Sequence, residues 1–462
     1  MENRLPKNWV ETELDNISVI QSGGTPSRGK KEYWNGDIPW LKISNFKSLY
    51  IDEADEFITE LGLKNSSTRI FPKGTILFTI FASIGKIGIL NFEAATNQAI
   101  AGITPTEKIN HKYLVYCFKE LSEMLQKEGK GVAQKNINQA ILKSTKIPLP
   151  PLAEQERIVA KLDALFAQQE VMKKALSRIP DLLKDFRQQV LTQAVTGKLT
   201  ESWREGKELE AWTRDIIKNI ATKLGSGSTP RGGSDTYLSE GIPLVRSMNV
   251  VFGGIKIKGL AFINEVQAEA LKNVEIHFED ILLNITGASI GRLCLADEKV
   301  AGGRVNQHVF IIRSNTNIVL PKYLEIYLRS TLIQKFIEEK KYGAGMEAIS
   351  KTQIENFEIS FPSILEQQEI VSRVESLFAK ADAIEERYKN LKVKIDTLPQ
   401  ALLHKAFKGE LVEQLATDGD AKDLLKEILV LKKESSVKKK VVKNYKQNEE
   451  VLGKVAEGET KF

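Results

Sequence analysis

The chain has 462 residues, 42% of them hydrophobic and 27% charged, with a formal net charge of +6. That length favours two or three domains, each able to bury its own core, and no apolar run approaches the roughly 20 residues that a membrane span needs. Only two cysteines occur, Cys117 and Cys294, each in an apolar context, which excludes a disulfide framework and leads us to expect buried thiols in a reducing compartment.

The opening MENRLPKNWV carries no signal-peptide core, so a cytoplasmic location is expected. The first distinctive stretch is SGGTPSRG, Ser22 to Gly29, followed by DIPWLKISNF, Asp37 to Phe46. It gathers backbone N–H groups, hydroxyls and cations (Ser22, Thr25, Ser27, Arg28, Lys30 and Lys31), a set suited to phosphate oxygens. Short β-branched runs such as Ile76 to Ile80, separated by Gly, Pro and Asn, suit a compact, strand-rich mixed domain over residues 1–149. Its amide and cationic candidates for base edges are Lys42, Asn45, Asn97, Gln98, Gln134, Lys135 and Asn136.

Pro150-Pro151 fixes the exit from this module, and residues 150–205 read as helix. Ile158, Leu162, Leu165, Gln169, Met172, Leu176, Ile179, Leu183, Phe186 and Val190 alternate steps of four and three without a break, the period of a coiled-coil seam. Pro180 should kink or divide this helix, and Gly197 should end it.

Then the pattern returns. GSGSTPRGG (Gly225 to Gly233) and GIPLVRSMNV (Gly241 to Val250) repeat the first loop and strand, with Pro26 and Pro230 standing 204 residues apart. DILLNITGASIGRLCLA repeats GTILFTIFASIGKIGIL, Asn306-Gln307 repeats Asn97-Gln98, and Tyr323-Leu324 repeats Tyr113-Leu114. The offset settles at 212, where PSILEQQEIVSRVESLFA matches PPLAEQERIVAKLDALFA and AFKGEL matches AVTGKL. Chance does not keep so many matches in order. The second module, residues 206–361, offers Ser226, Ser228, Thr229 and Arg231 for phosphates, and Arg246, Asn249, Arg304, Asn306, Gln307 and His308 for bases. Arg304 follows Gly302-Gly303 and opens a strand-like run, Val305 to Ile312, whose polar start is expected to emerge at the surface. Matched asparagines serve equally well to hold a turn in both copies. Unmatched positions are therefore the better candidates for specificity: Arg246 where the first copy has Lys42, and Val305 where it has Thr96.

The second helical region, 362–415, repeats the stripe as Ile370, Val374, Leu377, Ala381, Ile384, Tyr388, Leu391, Ile395, Leu398 and Leu402. Pro399 should kink or divide it and Gly409 should end it. Neither stripe is stable in water, so the two helices are expected to pair as an antiparallel coiled coil, in which Ile158, Leu162, Leu165, Met172 and Leu176 meet Ile370, Val374, Leu377, Ile384 and Leu391. Residues 416–462 have no counterpart in the first copy. DAKDLLKEILVLKKE, Asp420 to Glu434, reads as one more short amphipathic helix, and the lysine-rich end as a solvated tail.

Catalysis needs a constellation of reactive groups at set spacings. There is no GxxxxGK[ST]. Gly225-Ser226-Gly227 lacks the third glycine of a dinucleotide turn. His111, His277, His308 and His404 show no metal-ligand spacing, and the Asn/Asp-Pro-Pro-Tyr/Phe motif of adenine methyltransferases is missing. A PD…ExK pattern can be assembled only from Pro180-Asp181 and Glu205-Gly206-Lys207, across a helix and its connector. The expectation is a chain without catalytic site, cofactor or metal.

Taken together, SGGTPSRG…IPWLK, GSGSTPRGG…IPLVR, the two PPLAEQ/PSILEQ helices and the closing TGKL and KGEL resemble the specificity subunits of type I restriction-modification systems, over residues 1–415. The resemblance implies an α+β fold of two target recognition domains alternating with two spacer helices. It also implies a function: reading the two halves of a split double-stranded DNA site across a gap set by the helices. The implied partners are two methyltransferase subunits, which modify adenine with S-adenosylmethionine, and restriction subunits with translocase activity. A subunit of a related system that cuts both sides of its site, and a coiled-coil scaffold binding only protein, remain open on the residues alone.

Overall fold

The computed structural model describes residues 5–81, 83–128, 138–340 and 347–434. Strand Ile76–Thr79 is buried at every position, as a strand covered on both faces must be. Among the described residues it lies in a five-stranded sheet ordered Ser18–Ser22, Ile100–Pro105, Ile76–Thr79, Ile87–Leu90, Tyr50–Ile51. Alternate side chains serve two cores: Ile76 and Phe78 join Leu14, Ile17 and Leu114, while Leu77 joins Leu41, Leu90 and Ile100. The second core separates this sheet from a four-stranded one ordered Glu56–Ile58, Trp34–Leu41, Ala94–Thr96, Ile70–Phe71.

The second module repeats the plan. Ala221–Ser226, Val309–Ser314, Ile281–Asn284 and Leu293–Leu295 form one sheet, and Ala261–Ile263, Ile242–Val245 and Arg304–Val305 another. Ile281 and Leu283 face one core and Leu282 the other.

The expected single strand from Val305 to Ile312 is two strands in two sheets. Arg304–Val305 pairs parallel to Leu244–Val245, and Val309 onwards pairs antiparallel to Ile281–Asn284. Between them Asn306 Oδ1 accepts the His308 N–H at 3.1 Å, so a turn replaces the pleat. The first module makes the same switch, with Asn97 Oδ1 accepting the Ala99 N–H at 3.1 Å.

Each module is closed by pairing its first strand with its last: Val10–Glu13 with Lys146–Leu149, and Thr213–Ile216 with Glu358–Phe361. A fully buried tyrosine braces each closure, Tyr113 donating to Pro148 O and Tyr323 to Ser360 O, both at 2.8 Å.

By compactness the chain divides into residues 1–174 with 392–462, and residues 175–391, so each unit combines one module with portions of both helical regions. The first helical region is two helices, Leu152–Leu176 and Ile179–Val195. Pro180 opens the second of them, where its missing N–H has no helical partner to lose. Pro399, expected to kink or divide its helix, leaves Ile364–Phe407 undivided. Gly197 and Gly409 follow the helix ends with φ of 75° and 73°, a conformation that favours glycine.

Within each unit the helices run antiparallel. In the first, Ile158, Val159 and Leu162 share a core with Leu403, Ala406 and Phe407, while Gln169 reaches Ile395. In the second, Val190 to Val195 share a core with Ile370 to Val374, while Arg187 reaches Asp382 and Glu385.

Not every expected seam position is buried. Ile158, Leu162, Ile370 and Val374 are, and Leu165, Leu176 and Leu377 are half-buried, but Met172, Ile384 and Leu391 are 44%, 48% and 46% exposed. Period alone does not decide burial. The seam is dry where the helix also packs on its module, against Trp9 and Tyr113 in one unit and Tyr323 and Ile359 in the other.

Residues 421–434 are helical and belong to the first unit. Ile428 is fully buried in the core of Leu14 and Ile17, the Ala421 N–H donates to Asn8 O at 3.0 Å, and Glu427 pairs with Lys108 at 3.0 Å.

The burial pattern separates two substitutions that the heptad treats alike. Val374→Asp places an unpaired charge in the core and should cost roughly 4 kcal/mol or more. Ile384→Asp should change the stability of the isolated chain by about 0.5 kcal/mol or less. Urea denaturation followed by tryptophan fluorescence distinguishes them, and equal losses would contradict the seam described above.

Candidate nucleic-acid interface

In the second module four loops meet at one end of the sheets. The Gly227 N–H donates to Asn306 O at 3.2 Å, and a Cβ on Gly227 would stand 1.8 Å from Val305 O, so only glycine allows this approach. Next to it Thr229 Oγ1 donates to Gln307 Oε1 at 2.5 Å. That bond holds the exposed Gln307 by its oxygen and leaves its NH2 available to a ligand.

His308 Nδ1 lies 2.6 Å from Thr286 Oγ1. Asn284, fully buried, donates to Ser247 O at 2.9 Å and Ser289 Oγ at 3.1 Å, tying the 246–249 turn to the 286–292 loop. Between these loops runs an open groove of about 360 Å³ lined by Ser247, Met248, Thr286, Ser289, Arg292 and His308.

The first module has the same frame. The Gly24 N–H donates to Thr96 O at 2.8 Å, and Thr25 Oγ1 donates to Gln98 Oε1 at 2.5 Å. Its surface chemistry differs. Arg28 stacks over Trp34, 3.7 Å from the ring centroid, and Trp34 meets Trp40 edge-on at 5.1 Å. Glu56 receives both Arg28 at 2.6 Å and Lys42 at 2.5 Å. Partial burial pushes the Glu56 carboxyl up, but its bonds to Lys42 and Arg28 outweigh that and hold it below the ordinary carboxylate range. The stacked cation is thus already half-neutralised. In the second module Leu238 and Leu244 stand where the tryptophans would be.

The remaining residues anticipated from sequence separate into two groups. Lys30, Lys31, Ser228 and Arg231 are exposed on the glycine-rich loops, whose flanks hold the half-buried Ser22 and Ser226. Lys30 donates to Tyr33 Oη at 3.0 Å. Asn45 and Asn249 are turned inward, their Oδ1 atoms accepting from the N–H of Lys42 at 2.9 Å and of Arg246 at 3.1 Å. Both are buried, as is Asn306. These are turn residues. Arg246 is half-buried and donates to Gly259 O at 2.7 Å. Thr96 and Val305, expected to vary as readers, are fully buried. Gln134, Lys135 and Asn136 lie outside the described residues.

Arg304 departs furthest from its expected place. It is 6% exposed, and its guanidinium donates to Ala268 O at 2.9 Å, Gly302 O at 2.6 Å and Gly303 O at 2.9 Å, with Glu275 at 3.2 Å. The strand pairing of Arg304 inside the sheet turns the side chain onto these carbonyls. An exposed cation in this region is Arg292, with Lys86 at the matching end of the ASIGK segment. The sequence carried that signal, a cation kept after ASIG in both copies, within a segment that reads only as evidence of the duplication.

The chemistry on offer is hydrogen bonding and charge. Among the described residues no three His, Cys, Asp or Glu are grouped to hold a metal. Asp181 lies in the first turn of a helix, while Lys207 stacks over Trp203 at 3.3 Å. Both cysteines are buried, burial pushing the Cys294 thiol up to about 12 and that of Cys117 well above its usual value. No helix among the described residues is long and apolar enough to cross a membrane.

Comparison with known proteins agrees with the duplication. Residues 6–181 and 212–394 each match the family model for the type I restriction modification DNA specificity domain. The chain is 31% identical over 433 residues to the type I restriction enzyme EcoBI specificity subunit of Escherichia coli, covering 88% of this chain and 87% of that protein. It is also 31% identical over 433 residues to the MjaIX specificity subunit of Methanocaldococcus jannaschii, covering 89% and 96%. The crystal structure of the HsdS subunit from Thermoanaerobacter tengcongensis shares the fold, with a TM-score of 0.61 at 18% identity over 88% of this chain and 98% of that one.

Removing the Arg304 guanidinium leaves Gly302 O without its donor and takes a second donor from Ala268 O and Gly303 O, which keep the N–H groups of Leu271 and Ile276. Arg304→Ala should therefore cost about 1–3 kcal/mol of stability and leave the salt dependence of DNA binding unchanged. Chemical denaturation and a binding series over salt check both halves. Intact stability with a flatter salt slope would return Arg304 to the phosphate contacts.

Proposed function

This chain belongs to the DNA specificity subunits of type I restriction-modification systems, and from that premise we propose how its two modules and its helices divide the work. Each module reads one half of a bipartite double-stranded site. Exposed Arg28, Lys30, Lys31, Ser228 and Arg231 meet phosphates and fix orientation. Lys42, Gln98 and Lys86 in one module, with Gln307, His308 and Arg292 in the other, meet base edges. The observation that carries this reading is one frame presented twice with different surfaces. Where the first module has Ser44, Lys86 and Ala99, the second has Met248, Arg292 and His308. Two unlike readers on one chain require an asymmetric target.

In this reading the helices set the gap between the half-sites, and their exposed apolar positions receive two methyltransferase subunits, with restriction and translocase subunits joining that core. Adenine chemistry and its S-adenosylmethionine belong to those partners. The chain itself contributes recognition and holds no cofactor or catalytic group of its own, and it works with DNA in the cytoplasm. Arg292 supports the assignment by its exposure and the half-buried His308 by its place in the lining of a groove that a base edge can enter, and Gln307 by its outward amide.

Replacing residues 10–146 by the equivalent segment of another family member should change one half-site of the methylation map and leave the other intact. Changes in both halves would refute the division of labour. Within the second module, Arg292→Ala should cost ~1–3 kcal/mol on the cognate duplex and relax one base position if it meets a base. As a phosphate contact it should weaken all sequences alike and flatten the salt slope. If neither specificity nor salt slope moves, the groove is not the reading surface.

A further inference from the structure

A helix accommodates a proline at position i only by giving up the hydrogen bond to the carbonyl of residue i−4. In the helix Ile364–Phe407 the proline is Pro399, and the carbonyl it releases is that of Ile395, a residue only 5% exposed. A carbonyl stranded in so dry a place is costly. It is not stranded. The side-chain amide of Gln169 donates to Ile395 O at 2.6 Å, and Gln169 is itself 3% exposed, within the apolar stripe of Leu152–Leu176. A glutamine among leucines and a proline inside a helix break the same pattern, and each supplies what the other lacks.

The duplication shows that this arrangement is particular to the first unit. At the 212 offset Gln169 corresponds to Ala381 and Pro399 to Arg187. There the seam is crossed by ion pairs, from Arg187 to Asp382 at 2.7 Å and to Glu385 at 2.8 Å, with a buried alanine where the first unit has its amide.

We propose that Gln169 and Pro399 form a register pin, a positioning pair that fixes how far the long helix is advanced along Leu152–Leu176 in the first unit. An apolar stripe discriminates poorly between registers, because leucine meets leucine again after one heptad; a single buried polar contact discriminates well. The carbonyls on either side of Ile395 are engaged within the helix. A slip of one turn therefore leaves the Gln169 amide without an acceptor and Ile395 O without a donor. This inference rests on the reading that the helices set the gap between half-sites. A turn of helix is about 5.4 Å, against about 3.4 Å of duplex per base pair, so a slip is large enough to change which gap fits.

The test uses the full chain with Gln169→Met, which keeps length and bulk, and Gln169→Glu, which exchanges donor for acceptor. Each is made with Pro399 present and after Pro399→Ala, which restores the helix's own bond to Ile395 O. With Pro399 present, Gln169→Met should lower the folding equilibrium constant roughly ten-fold, and Gln169→Glu further. After Pro399→Ala, Gln169→Met should cost about two-fold or less. Equal costs in both backgrounds overturn the pin.

The complex assembled with its methyltransferase partners is then given duplexes carrying the cognate half-sites at the native gap and at gaps one base pair shorter or longer. Wild type should prefer one gap, and Gln169→Met should spread methylation over its neighbours with the half-site sequences unchanged. Coupling without such spreading reduces Gln169 to a stabilising contact and overturns its role in register. A wild-type complex indifferent to gap length sinks the spacer reading instead, while the coupling still decides for or against the pin.

Discussion

A carboxylate taken out of water must be met by donors or it destabilises whatever buries it. Glu154 and Glu366, which occupy the same place in the two copies, are 0% and 1% exposed in the first turn of their helices. Asn8 and Gln414 donate to Glu154, each at 3.2 Å. Thr200 and Arg204 donate to Glu366 at 2.7 and 3.2 Å. The glutamine that follows is fully buried in both copies. Gln155 accepts the Asn110 N–H at 3.0 Å and donates to Pro150 O at 2.9 Å, while Gln367 accepts the Leu320 N–H at 2.8 Å and donates to Pro362 O at 2.9 Å. The Glu-Gln pair thus joins the long helix, the last strand and an inner helix of the module at one point. Together these bonds set the direction in which the helix leaves its module, and the contacts along the seam build on that direction.

The same socket is filled differently in the two units. In the second it is closed by the connector between the copies, through Thr200 and Arg204. In the first it is closed by Asn8, ahead of the first strand, and by Gln414, beyond the last helix. The residues after 415, which have no counterpart in the first copy, are held there as well. Arg157 makes a two-pronged pair with Asp418 at 2.7 and 2.5 Å, and the 421–434 helix inserts Ile428 into the module core. This segment therefore does in the first unit what the connector does in the second.

Much of this was legible in the sequence because burial imposes periodicity and duplication repeats it. The PLAEQ and SILEQ runs marked the joints, the steps of four and three marked Ile158, Leu162, Ile370 and Val374, and Gly197 and Gly409 marked the helix ends. What the sequence concealed depends on the neighbour opposite rather than on pattern. Met172 and Ile384 keep the period yet stand at exposed stretches of the stripe, and Pro399 sits in an unbroken helix because a side chain across the seam replaces the lost donor. Arg304 looked like a surface cation because nothing local reveals that its strand pairs inside a sheet and that three carbonyls stand ready for it.

The two copies also separate frame from reader more sharply than residue type can. Asn45 with Asn249, and Asn97 with Asn306, match in sequence, and their Oδ1 atoms accept equivalent backbone N–H groups in both modules, which commits those oxygens to turns. Thr79 and Asn284 occupy equivalent strand positions, since their N–H groups bond to Lys86 O and Arg292 O at 3.0 and 2.8 Å, yet the loops that follow differ by one residue. That single insertion sits between Ile80 and Ile285 on one side and the Lys86/Arg292 cations on the other. It shifts the loop tip without disturbing either sheet, because both its ends are fixed by the same backbone bonds. A frame whose turns hold themselves leaves the loop tips free to change length and chemistry, and so one fold can carry two different readers in a single chain.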